Sequence, residues 1–99
     1  MRVVEILPKE ECHVTAIEAS VQDYFNGDMV VVSCILAGKS YDFVCYEEGL
    51  QVKNNQVKAI YGPAIVCNAQ LEELSDDEAV LVQNYVNENK FDLNNIHLH

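Results

Sequence analysis

Apolar and polar positions divide this chain into short runs with two different periods. Met29 to Leu36 is apolar at nearly every position, which predicts a strand covered on both faces. Gly38-Lys39 follows as a two-residue turn, with glycine at the first central position of a type II′ turn, where φ is positive. That turn sets Leu36 against Tyr41, Cys34 against Phe43 and Val32 against Cys45, all on one face because side chains alternate along a strand. This set is the expected core face, with Cys34 and Cys45 as diagonal neighbours on it. Val31, Ser33 and Ile35 with Asp42, Val44 and Tyr46 form the expected semi-exposed face. Asn54-Asn55, between Val52 and Val57, predicts a second turn, and Ile60 to Cys67 a further strand of the sheet. Pro63 cannot donate a ladder hydrogen bond, which puts that strand at an edge or bulges it at Gly62-Pro63.

The flanking segments supply two more strands and two helices. Val3 to Leu7 reads as a strand ended by Pro8, and the β-branched stretch Cys12 to Glu18 as its partner. Ser20-Val21-Gln22-Asp23 resembles a capping box, Val21, Tyr24 and Phe25 make an apolar stripe, and Gly27 stops a short helix. Ser75-Asp76-Asp77-Glu78 is a full S-x-x-E capping box. The helix behind it puts Leu74, Leu81, Val82, Tyr85 and Val86 on its packing side and Gln83, Asn84 and Asn87 toward water, ending near residues 87–89. Phe91 to Ile96 reads as a packed extension. The expected architecture is one α+β domain over residues 1–99. Its mixed or antiparallel sheet has about five to six strands, a short helix after strand two and a longer C-terminal helix packed on it.

Composition narrows the function classes. Sixteen Asp and Glu against six Lys and Arg give a net charge of −10, which repels phosphate and argues against direct nucleic-acid binding. The same charge would speed encounter with a basic partner. No apolar run approaches the ~20 residues of a membrane helix, and no signal-peptide pattern precedes Val3, so a cytoplasmic protein is expected. The four cysteines, Cys12, Cys34, Cys45 and Cys67, form no CxxC and read as free, buried, apolar-like residues. His13 is adjacent to Cys12 on a strand, so the two diverge and do not chelate together. It is expected to be exposed or satisfied by a neighbour. His97 and His99 make only a weak terminal site, and no metal, cofactor or catalytic residue is assigned.

The most acidic window runs from Leu71 to Glu78. Its carboxylates complement a helix N-terminus, and they are also the first candidates for docking a basic host protein. The candidate contact residues are Glu72, Glu73, Asp76 and Asp77, together with Glu47 and Glu48. The leading expectation is a non-enzymatic interaction module. An alternative is a small-ligand or nucleotide-binding module walled by Tyr46, Tyr61, Gly62 and Pro63. A third is a small hydrolase-type enzyme, although the chain has no phosphate loop, nucleophile elbow or HExxH. A homodimer is compatible with a Pro-bearing edge strand and an exposed Val31–Ile35 face.

Three stretches also carry a resemblance. They are Val3-Val4-Glu5-Ile6-Leu7-Pro8, then Val44-Cys45-Tyr46-Glu47-Glu48-Gly49-Leu50, then Ile60-Tyr61-Gly62-Pro63-Ala64-Ile65-Val66 with Leu74-Ser75-Asp76-Asp77-Glu78 behind it. Their order and spacing, over most of residues 1 to 88, resemble a family of small phage and plasmid domains of unknown function. This chain is compact between Gly49 and Ile60, where such members often carry a Pro-containing insertion. The resemblance implies a bacterial or viral cytosolic protein of mobile-element origin and transfers no catalytic residue.

Overall fold

The computed structural model describes residues 1–7, 10–54, 56–89 and 96–97, with 89, 96 and 97 described by backbone alone. The chain runs β1 (Arg2–Ile6), β2 (His13–Ala16), α1 (Val21–Tyr24), β3 (Met29–Leu36), β4 (Lys39–Tyr46), β5 (Leu50–Lys53), β6 (Gln56–Ile60), β7 (Ala64–Cys67), α2 (Asp76–Asn89) and β8 (Ile96–His97). The expected α+β class is what forms. Six strands make one sheet in the order β2-β1-β7-β4-β3-β8, with every neighbouring pair antiparallel. β5 and β6 make a separate two-stranded ribbon. Among the described residues no helix is long and apolar enough to cross a membrane.

The β3–β4 hairpin turns at Ala37-Gly38, not Gly38-Lys39. Both residues have positive φ, +51° and +79°, as a type I′ turn requires; its twist matches that of the flanking strands. Leu36 therefore pairs with Lys39, Cys34 with Tyr41 and Val32 with Phe43. The register moves by two residues, one full pleat, so every side chain stays on its expected face. Val32, Cys34, Leu36, Tyr41, Phe43 and Cys45 are all buried. Cys34 and Cys45 are not diagonal neighbours, because Cys45 now pairs with Val30.

β7 is central, between β1 and β4, and not an edge. Pro63 sits one residue ahead of the first paired position, Ala64, so its missing N–H costs the ladder nothing. Ala-Ile-Val-Cys is buried at all four positions, as a strand covered on both faces must be. Ile60 belongs to the ribbon and not to this strand. The ribbon's Leu50, Val57 and Ile60 pack beside the core instead of pairing with the sheet. Gly49 enters that ribbon: its carbonyl accepts from Tyr61 N–H at 2.7 Å, and any Cβ would run into the Tyr61 carbonyl oxygen.

Two cores sit on opposite faces of the sheet. On one, Val4, Phe43, Cys45 and Val66 meet Leu74 and the Ala79, Val82 and Val86 stripe of α2. On the other, Val3, Val44, Ile65 and Cys67 meet Val21 and Phe25 at α1. Val44, expected on the semi-exposed face, is fully buried because α1 lies over it, whereas Ile35 at the hairpin end remains 42% exposed. α1 is capped as expected, with Ser20 Oγ accepting from Asp23 N–H at 3.1 Å. It ends at Asn26-Gly27, both at positive φ, where Gly27 N–H donates to the Gln22 carbonyl at 2.8 Å. On α2, Leu81 is exposed and not packed. Gln83 and Asn87, expected to face water, instead reach the Cys12 backbone. The predicted extension at 91–95 and His99 lie outside the described residues, as does the His97 side chain.

Candidate interaction surface

The acidic window folds onto the N-terminal end of α2. Ser75 and Glu78 form the reciprocal capping box, Ser75 N–H donating to Glu78 Oε1 and Glu78 N–H to Ser75 Oγ, both at 3.1 Å. The Glu78 carboxylate also accepts from Asn68 Nδ2 and pairs with Lys39. The Lys39 ammonium, followed by the Ser75 amide, pulls the Glu78 carboxyl down to about 2. This carboxylate is a tether between α2 and the start of β4.

Arg2 engages the rest of the window. Its Nη2 lies 3.1 Å from Asp76 Oδ1, and its Nη1 donates to the Leu74 carbonyl at 3.0 Å. Its backbone N–H donates to Glu73 Oε2 at 2.8 Å, and its carbonyl accepts from Leu74 N–H at 3.0 Å. The preceding loop places Gln70 and Leu71 at positive φ, with Leu71 N–H donating to Asp42 Oδ2 at 3.0 Å. Glu73 and Asp76 are therefore held by the fold. All four carboxylates are exposed, the Glu73 and Asp76 side chains to 56% and 86%, and Glu72 and Asp77 differ in having no ionic partner among the described residues.

The six acidic candidates do not form one surface. Glu72, Glu73, Asp76 and Asp77 lie at the end where β1 begins and β7 finishes. Glu47 and Glu48 form an exposed 3-10 turn beyond the other end of β4. At ~3.3 Å per residue, Glu47 lies roughly 16 Å along the strand from Asp42, which buttresses the acidic loop.

The aromatic candidates are also dispersed in role. Tyr46 stands edge-on to Phe25 with ring centroids 4.9 Å apart, as part of the α1-side core. Tyr61 is 58% exposed, Gly62 turns at φ +82°, and Pro63 is half-buried ahead of β7. All four cysteines are free and buried. Burial pushes Cys34 and Cys67 up to about 12 and Cys45 to about 11, so these sulfurs stay thiols at neutral pH. Among the described residues no group of three or more His, Cys, Asp or Glu could hold a metal ion.

Sequence reasoning missed one polar cluster. Glu5 and His13 are cross-strand partners, with His13 Nε2 2.9 Å from Glu5 Oε1. The Tyr24 hydroxyl donates to the other carboxylate oxygen. Burial first, and then the Glu5 carboxylate, raise the Tyr24 hydroxyl above its ordinary range. His13 is thus satisfied by a neighbour, and the three side chains strap α1 to the β1–β2 corner. Only the Arg2↔Ala16 register brings Glu5 opposite His13, and the sequence alone does not set that register. No family model, curated protein or solved structure matches this chain.

Proposed function

We propose that the protein is a non-enzymatic interaction module, a cytoplasmic accessory or anti-defence factor of a phage or other mobile element, that docks a basic host protein. The observation carrying this reading is the split among the carboxylates at the N-terminal end of α2. Arg2 and Lys39 partner Glu73, Asp76 and Glu78, which leaves Glu72 and Asp77 as the exposed carboxylates of this window with no ionic partner among the described residues. Lys53 and Lys58 stand apart, on the β5–β6 ribbon. An uncompensated negative patch raises the encounter rate with a basic surface and makes binding sensitive to salt.

Affinity capture of the tagged protein from a bacterial lysate, at low and high salt, tests the reading when run beside the Glu72→Lys/Asp77→Lys variant. Glu73 and Asp76 stay unchanged, because each already has a partner on Arg2 that a reversal would remove. The expected result is one dominant basic protein, lost at high salt, with association to the variant slowed by on the order of tenfold. Equal retention by the variant, or an empty capture from wild type, overturns the reading.

A further inference from the structure

β2 forms one edge of the sheet, and its outward backbone groups are only partly answered. Met1 and Ile17 exchange both backbone hydrogen bonds at 2.9 Å. Hydrogen-bonded and non-hydrogen-bonded pairs alternate along an antiparallel ladder. Thr15 and His13 therefore also turn their N–H and C=O toward β1, while Cys12, Val14 and Ala16 turn theirs outward. Cys12 is already covered: its N–H donates to Asn87 Oδ1 at 3.0 Å, and its carbonyl accepts from Asn87 Nδ2 at 3.3 Å and Gln83 Nε2 at 3.5 Å. Val14 and Ala16 have no such cover among the described residues, which leaves two donors and two acceptors in a row.

We infer that this edge takes up an extended segment of a partner protein as a further antiparallel strand, and that the segment is basic at both ends. The charge around the edge selects the occupant. Exposed Glu10 and Glu11 stand before β2 and exposed Glu18 after it, so carboxylates flank the open groups on both sides. A second copy fits badly in the register that would use all the open groups of both copies. Pairing Val14 with Ala16 of another copy sets Glu18 of each chain opposite Cys12 and so beside Glu11 of the other, in a molecule already at −10. A segment with lysine or arginine at each end meets opposite charge at both. Main-chain bonds supply affinity and the flanking charges supply selectivity, as in other strand-addition complexes. Ala16 pairs with Arg2, whose amide binds Glu73, so this edge runs on toward the acidic end of α2. The inference rests on the basic-partner reading and adds where and in what conformation the partner is held.

The test is amide hydrogen exchange and chemical-shift mapping of the full chain. The probes are an octapeptide of alternating threonine and valine with two lysines at each end, and its twin carrying glutamates in place of the lysines. The lysine peptide is expected to slow exchange at Val14 and Ala16 and the glutamate peptide to leave both unchanged. Val14→Pro removes an outward N–H at an edge position that tolerates proline. It should weaken the lysine peptide roughly tenfold. Ala16→Pro and the Glu11→Lys/Glu18→Lys variant provide the same reading where Val14→Pro does not fold. Salt-sensitive binding that survives these substitutions and protects amides elsewhere overturns strand addition alone and leaves the basic-partner reading standing. Absence of any binding by the lysine peptide overturns strand addition, and the lysate capture then decides the parent reading separately.

Discussion

The two faces of the sheet are covered in different ways. α2 is fourteen residues long and lays an apolar stripe of Ala79, Val82 and Val86, with Leu74 just ahead of it, across one face. α1 is four residues long and brings two buried side chains, Val21 and Phe25, to the other. A single turn cannot stand as a helix on its own. The α1 face compensates with a polar strap, in which Glu5 on β1 holds both His13 on β2 and Tyr24 on α1. Where a long amphipathic helix is available, apolar burial fixes the layer. Where it is not, a few concentrated contacts carry the load, and each should matter more.

Truncating one large buried side chain on each face tests that contrast most strongly. Phe25 is fully buried and sits between Tyr24 and Tyr46, edge-on to both rings. Phe25→Ala should cost about 4 kcal/mol, and Leu74→Ala on the α2 face about 3 kcal/mol. Against a total of roughly 5–15 kcal/mol for a small domain, the first variant should be close to unfolding. Urea denaturation of both variants supplies the comparison. A larger loss at Leu74 than at Phe25 would break it, because the α1 face would then be the less concentrated of the two.

The strap is the next test. Tyr24→Phe keeps the ring against Phe25 and removes only the hydroxyl bonded to Glu5. The Glu5 side chain is 16% exposed, so its carboxylate would lose a partner in a poorly solvated place. A loss of about 1.5–3 kcal/mol is expected, in the range for a hydrogen bond to a charged group. Amide exchange within Val21–Phe25 should accelerate more than exchange in β4. Uniform acceleration across both would mean that α1 is not separately held.

The two faces also differ in how far the sequence reveals them. Most of the α2 face follows from local rules, Leu81, Gln83 and Asn87 apart: the Ser75–Glu78 box is sequence-contiguous, and the alternation in β3 and β4 survives a two-residue register error because its period is two. The α1 face depends on closure. Val44 reads as semi-exposed until α1 is laid over it, and Glu5, His13 and Tyr24 meet only when β1, β2 and α1 are in register. Proline chemistry misled at β7, where Pro63 lies one residue outside the ladder it was expected to interrupt. The acidic window was legible as charge. That Arg2, distant in sequence, would pair with Glu73 and Asp76 was not, and this pairing is what distinguishes them from the equally exposed Glu72 and Asp77.

The smallest expected effect sharpens the comparison from the α2 side, which has a polar tether of its own in Lys39–Glu78. Lys39 is half-exposed, so solvent screens this pair and its contribution should fall below that of the Glu5–Tyr24 bond. The fold lowers the Glu78 carboxyl from 4.5 to about 2, Lys39 being the main cause. A group whose pKa is depressed by folding stabilises the protein fully above its unfolded value and loses that contribution as pH falls through the folded one. Wild type should therefore shed this stabilisation between about pH 4.5 and 2. Glu78→Gln, which retains an amide oxygen for the capping box, should melt below wild type at neutral pH and converge with it near pH 2. Thermal melts of both proteins across that window give the difference directly. A gap that stays constant with pH would mean that the Glu78 charge plays no part and that the box alone anchors the start of α2.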